Sequence, residues 1–171
     1  MDDEGSPIPE QRGRGAPWSF ATALAATGGF LAAAGVFLPW ASASGVRTTE
    51  IFGEELVGTY SSNGIADITG LVVLIVGLGI GVLEVGALLF TEEGLRRAAG
   101  MVAIVGGLAV LGACALAAIR AEAVLGDLPA ELEGPLVAVE TSIAAGLVVS
   151  AAGGVIAALG GLVAGRSATA T

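Results

Sequence analysis

Between Gly70 and Phe90 the chain runs GLVVLIVGLGIGVLEVGALLF, twenty-one residues with a single charge, Glu84. Nothing else in the sequence limits the fold as strongly, because about 20 such residues span a hydrocarbon layer roughly 30 Å thick. Three further segments are as long and as apolar, so the predicted spans are Trp18–Trp40, Ile65–Phe90, Gly100–Ile119 and Ser142–Gly165. In lipid a backbone must satisfy its own hydrogen bonds, and continuous apolar runs, not alternating ten-residue segments, select helices over a barrel. The expected fold is an all-α integral membrane protein, a four-transmembrane-helix bundle.

Composition agrees. The chain is 54% hydrophobic and 13% charged, with mean hydropathy +0.86, outside the range of soluble globular domains. The polar connectors are too short for a soluble domain, so residues 18–166 read as one membrane domain. Residues 1–17 hold Pro, Gly and charge without periodicity and are expected to form a disordered tail, with 167–171 a second short tail.

Orientation follows from the arginines, since basic residues near helix ends stay on the cytoplasmic side. Lysine is absent. Arg12 and Arg14 precede the first span, Arg96 and Arg97 fall between the second and third, and Arg166 follows the fourth. Only Arg47 and Arg120 lie on the other side, so both termini are predicted cytoplasmic and the loops 41–64 and 120–141 outside. Nine acids against those two arginines leave the outer face near −7 of the net −9. Such a field could gather cations, but a pI near 4.3 without lysine fits a high-salt-adapted organism, where acidic surfaces are general. No metal site is expected, because flexible loop carboxylates lack fixed ligand geometry.

Ala41-Ser42-Ala43 resembles a signal-peptide cleavage site after the first span. The apolar region is too long and its leader too acidic for one. Trp18 and Trp40 bracket the span about 33 Å apart at 1.5 Å per residue, and are expected to act as interfacial anchors. In the first outer loop, β-branched and aromatic residues flank Gly53-Glu54-Glu55, predicting a short hairpin over Val46–Tyr60. The segment Ala121–Glu140, apolar residues between acids with two prolines, is expected to form short amphipathic helical turns.

The missing residues exclude much chemistry. No histidine is present, which removes His-ligated haem, HExxH zinc sites and Ser-His or Cys-His nucleophiles. Cys114 is the only cysteine, and only Asp67 could serve an aspartyl protease, which needs two. The sequence GLGIG at Gly77–Gly81 lacks the P-loop lysine and a preceding strand. No enzyme activity, catalytic residue, cofactor or nucleic-acid partner is expected.

Glycine has a packing explanation, since helices in lipid associate where small residues let backbones approach. On the fourth span Gly146, Ser150, Gly154 and Ala158 form one small-xxx-small line and Gly153, Ala157, Gly161 and Gly165 another, implying two neighbours. Gly106 and Gly107 supply small residues on the third span, Gly77 and Gly81 on the second. At 100° per residue, Gly70, Gly77, Gly81 and Ala87 lie within about 60° of Glu84, so the carboxylate follows the packed stripe. It sits about 10 Å inside the cytoplasmic helix end, where Thr22 or Thr27 could face it. A charged carboxylate is costly at that depth unless an arginine such as Arg14, Arg96 or Arg97 snorkels inward. Two readings stand: a polar clasp fixing helix register, which is favoured, or part of a proton- or cation-coupled pathway.

The stretches FLPWASASG (Phe37–Gly45) and NGIADITGLVVLIVGL (Asn63–Leu78) resemble small four-span membrane proteins of halophilic archaea. The topology also resembles the claudin-like tetraspan arrangement, with a strand-forming first loop outside. The paired loop cysteines of claudins are absent here, so adhesion and pore lining do not carry over. The resemblance implies habitat and topology. The expected role is a non-enzymatic accessory or structural subunit of a membrane assembly in an archaeal cytoplasmic membrane, homo-oligomeric or with other membrane subunits. The alternative is a small transporter or channel component using Glu84.

Overall fold

A computed structural model of the chain describes residues 16–49, 53–90, 92–121, 125 and 137–168. Among these residues four long helices, α1 (Ala16–Gly35), α2 (Ile68–Leu89), α3 (Glu93–Ile119) and α4 (Ala145–Ala168), carry a three-stranded sheet of β1 (Pro39–Thr49), β2 (Gly53–Asn63) and β3 (Val137–Ile143). The all-α expectation is therefore too narrow: the fold is mostly helical with a β cap. Of the expected tails, 1–15 and 169–171 lie outside the described residues, as do 122–124 and 126–136 of the segment expected to form amphipathic turns.

The helices form a ring in which α1 packs on α2 and α4, and α3 packs on α2 and α4. Neighbours run antiparallel, as short connections and the sheet require. At one end, here the sheet end, α1 passes into β1 and α4 leaves β3; at the other, the turn end, residues 90–92 join α2 to α3.

The pairing of α1 with α4 is made of backbone. A Cβ on Gly153 would meet the carbonyl of Gly28 at 2.7 Å, and one on Gly160 the nitrogen of Ala25 at 2.6 Å. Gly35 lies against Ser150 and Gly146, and the Ser150 hydroxyl donates to Ala32 O at 3.0 Å. The α4 residues in this seam are Gly146, Ser150, Gly153, Ala157 and Gly160, spaced alternately four and three. Facing them, α1 presents Ala21, Ala25, Gly28, Ala32 and Gly35 with the same alternation. That heptad spacing keeps one stripe in register along antiparallel helices, whereas a strict i+4 line drifts about 40° per step. The predicted i+4 lines on α4 accordingly each start on α1 and end on α3: Gly154 lies against Gly107, and a Cβ on Gly161 would meet the carbonyl of Gly100 at 2.6 Å. Two neighbours were expected and two are present, but the seams cross the lines diagonally.

Between α1 and α2, Gly29 lies against Gly77 and Gly81, and Gly81 also against the Phe30 ring. Between α2 and α3, a Cβ on Gly106 would reach the Ile80 side chain at 2.8 Å. The core is consequently built from alanine and glycine with a few Val and Ile, while Phe20, Ile75, Val82, Leu89 and Ile119 are more than 60% exposed. That distribution is the reverse of a water-soluble domain's. Three helices, Ile68–Leu89, Glu93–Ile119 and α4 through Arg166, are long and apolar enough to cross a membrane.

Local signals set the element ends. Pro39 disfavours helix in the residue before it, so α1 stops at Gly35, five residues short of its predicted end, and the chain turns through Val36–Leu38 into β1. Asp67 caps α2, its Oδ2 accepting from Thr69 N at 3.0 Å. Helix α3 starts at Glu93, seven residues before its predicted start, because Glu93 and Arg97 form an i,i+4 ion pair at 2.8 Å that favours helix there. Arg96 and Arg97 thus ride on α3 instead of a loop.

The sheet order is β2-β1-β3, antiparallel throughout. The hairpin expected over Val46–Tyr60 is longer than predicted, with paired residues from Pro39 to Asn63 and its turn outside the described residues. Strand β3 was not expected at all. Trp40 is no interfacial anchor: it is 1% exposed on β1, donates from Nε1 to Gly35 O at 3.1 Å, and its ring closes on Gly64. Helix α1 ends too early for Trp40 to reach an interface at its tip, so the indole fills the joint between bundle and sheet instead.

Candidate functional site

Apart from Ser150, which is bonded to Ala32 O in the α1–α4 seam, the buried polar groups of the helices described lie near the turn end. Glu84 occupies the α2 face that buries Gly77, Ile80, Gly81 and Ala87, and is itself 1% exposed. Thr22 is fully buried on α1. On α3, the Arg96 guanidinium stacks over the half-buried Trp18 ring, 4.2 Å from its centroid, a cation–π arrangement.

Among the described residues, three buried side-chain polar atoms make no hydrogen bond: Thr22 Oγ1, Glu84 Oε1 and Arg96 Nε. They belong to three helices and one region. Gly29 faces Gly77 and Gly81, and Gly106 faces Ile80 and Val76. Counting from those contacts at about 1.5 Å per residue places Thr22 roughly 3 Å, and Arg96 roughly 6 Å, closer to the turn end than Glu84. Trp18 lies beyond them at that end.

The expected partners of Glu84 are placed otherwise. Thr27 is exposed on the outer side of α1, where its hydroxyl donates to Ala23 O at 2.8 Å; five residues of helix turn it about 140° from the Thr22 face. Arg97 pairs with Glu93 on the exterior, Arg96 is held by Trp18, and Arg14 lies outside the described residues. The packing residues Gly77, Gly81, Gly106, Gly107, Gly146, Ser150, Gly154 and Gly161 all stand in helix–helix contacts.

On the sheet side of Glu84 the interior is mostly apolar, and its buried Ser150 hydroxyl is bonded to Ala32 O. Ile80, Val73, Val36, Val110 and Trp40 are each no more than 1% exposed. The free thiol of Cys114 is buried in the same cluster. No group of three metal-ligating side chains occurs among the described residues. Outside the bundle, a groove of about 490 Å³ opens between the end of α3 and β3, lined by Ile119, Arg120, Thr141 and Ser142 among others.

Two features escaped the sequence reading. The Trp18–Arg96 stack joins residues far apart in sequence, and no local signal announces it. Strand β3 did carry a signal, since Val137, Val139, Thr141 and Ile143 alternate with period two. No protein-family model matches the chain, and no curated protein matches it.

Proposed function

We propose that the chain is a four-span protein of a cytoplasmic membrane, in an archaeon by its acidic, lysine-free composition, and that it serves as a non-enzymatic accessory or structural subunit of a membrane assembly. Support for α1 as the fourth span comes from its place in the ring, antiparallel to α4 along a continuous small-residue seam. With Arg96, Arg97 and Arg166 at the turn end, the positive-inside rule puts that end and both termini in the cytoplasm and the sheet outside.

The observation that carries the subunit reading is the closed interior. Backbone-close contacts fill the helix seams, and an apolar plug from Ile80 to Trp40 separates Glu84, the one buried acid among the described residues, from the sheet end. A coupled transporter needs polar groups near the midplane and interrupted helices; α2 runs unbroken through Gly77–Gly81. Outside that plug, most of the large apolar side chains face outward, where lipid or other subunits meet them.

Gentle extraction of the tagged protein from its native membrane at high salt, followed by mass determination of the intact particle, tests this. A foreign chain in fixed ratio is expected. A particle of this chain alone would overturn the accessory-subunit role.

A further inference from the structure

Beyond that role, the cluster of unpaired atoms near the turn end calls for a polar occupant. Native interiors leave few buried polar atoms without partners, and those that remain are commonly satisfied by water or a small ligand. Here all three among the described residues fall within one short stretch of the bundle axis. An acid, a hydroxyl and a guanidinium N–H follow one another from Glu84 through Thr22 to Arg96, on α2, α1 and α3. Small residues, Ala25, Ala99 and Ala103, are buried on α1 and α3 over the same stretch.

We propose that Glu84 is a reversible proton-binding site, connected to the turn end by water that hydrogen-bonds Thr22 and Arg96, with the Trp18–Arg96 stack as its cap. The carboxylate takes one proton from a hydronium, leaving water, and returns it by the same route. The route is single-ended. Toward the sheet, Ile80, Val73, Val36 and Val110 offer no hydrogen-bonding group and the buried Ser150 hydroxyl is committed to Ala32 O, so proton uptake changes the charge inside the bundle without carrying protons across it.

The charges that could face this site are few. Helix α1 has no titratable side chain, α2 has only Glu84, and α4 has only Arg166 near its end. On α3 the ionisable side chains are Glu93 and Arg97, paired on the exterior, Arg96 on Trp18, and Cys114 in the apolar cluster toward the sheet. Among the described residues of the four helices, no second buried acid competes for the proton.

Infrared difference spectra of the full chain in liposomes, recorded across pH and after transfer from H2O to D2O, decide the matter. The expected signal is the carbonyl stretch of a protonated carboxylic acid that grows as pH falls, is absent in Glu84→Gln and shifts in D2O. Thr22→Val, which removes the intermediate hydroxyl at nearly constant shape, should slow that shift roughly tenfold, the scale of one lost hydrogen bond. Trp18→Ala should hasten it. A band that neither titrates nor shifts in D2O, or no band at any pH, overturns the proposal. Should Glu84→Gln fail to insert, the Thr22→Val comparison decides alone, since an unchanged exchange rate also overturns it.

Discussion

At Gly28 the helices α1 and α4 come so close that a methyl group would press on Ala157 N and lie 2.7 Å from Gly153 O. Neither atom belongs to a side chain that can rotate away, so the helices would have to part along the whole seam. Gly28→Ala is expected to lower stability by about 1–3 kcal/mol, the usual range for overpacking, read as an earlier transition in detergent unfolding. Gly79 on α2 has nothing within 4 Å of its missing Cβ. Gly79→Ala should therefore cause no loss, and separates packing from any general effect of removing glycine. Glu84 presents the opposite case, a side chain that fits sterically but carries an unpaired oxygen. Taking a carboxyl group from bulk water into a mostly apolar interior is unfavourable even where a few waters reach it. Glu84→Met, similar in length and without polar oxygen, is expected to raise stability by about 1–3 kcal/mol in the same assay. A fall in stability instead would show that Glu84 holds the helices together as a clasp.

Among the elements, the joint between bundle and sheet depends on one side chain. Trp40 bridges the end of α1 and the start of β1 and packs on Gly64. Trp40→Ala should cost about 3–5 kcal/mol, the range for emptying a large buried site. With Trp18→Phe as background, the remaining tryptophan, Trp40, should emit like a buried indole and resist quenching by brominated lipid. An interfacial anchor would be quenched. The contrast shows what could be read from residue order alone. The apolar runs at 65–90, 100–119 and 142–165 were legible because lipid demands length and hydropathy, and Val46–Tyr60 because β-branched residues crowd a turn. Trp40 was misread because two tryptophans at interfacial spacing mimic an anchored helix, while the decisive residue was Pro39 beside it. The α4 seams were half legible: glycine abundance marked the helix, but only the partner's position shows that four-three alternation prevails over i+4 lines. Of the candidate site, Glu84 was legible and Thr22 was named, yet the Trp18–Arg96 stack depends on the ring closure of four helices.

For the whole molecule, small residues inside and Phe, Leu, Ile and Val outside make sense only if the surroundings are as apolar as the core. In the proposed four-span arrangement the sheet lies at one membrane surface and the turn end at the other. Ser42 and Ser142 permit a direct check. They are paired across β1 and β3, with hydroxyl oxygens 2.9 Å apart. The double variant Ser42→Cys, Ser142→Cys should oxidise to a disulfide, because geometry that lets two hydroxyls hydrogen-bond brings two thiols within bonding reach. The buried Cys114 should not interfere. In sealed cells, a membrane-impermeant reductant should open that bond and an impermeant maleimide should then label both thiols. A cysteine at the exposed, uncrowded Gly94 near the start of α3 should react only with permeant reagents. The opposite labelling pattern would invert the topology, with the arginine-rich end outside against the positive-inside rule. Equal labelling of both ends by the impermeant reagent would mean that the bundle does not separate two compartments. Failure of the disulfide to form would instead dissolve β3 from the sheet, and with it the β cap that holds α1 and α4 together at their sheet ends.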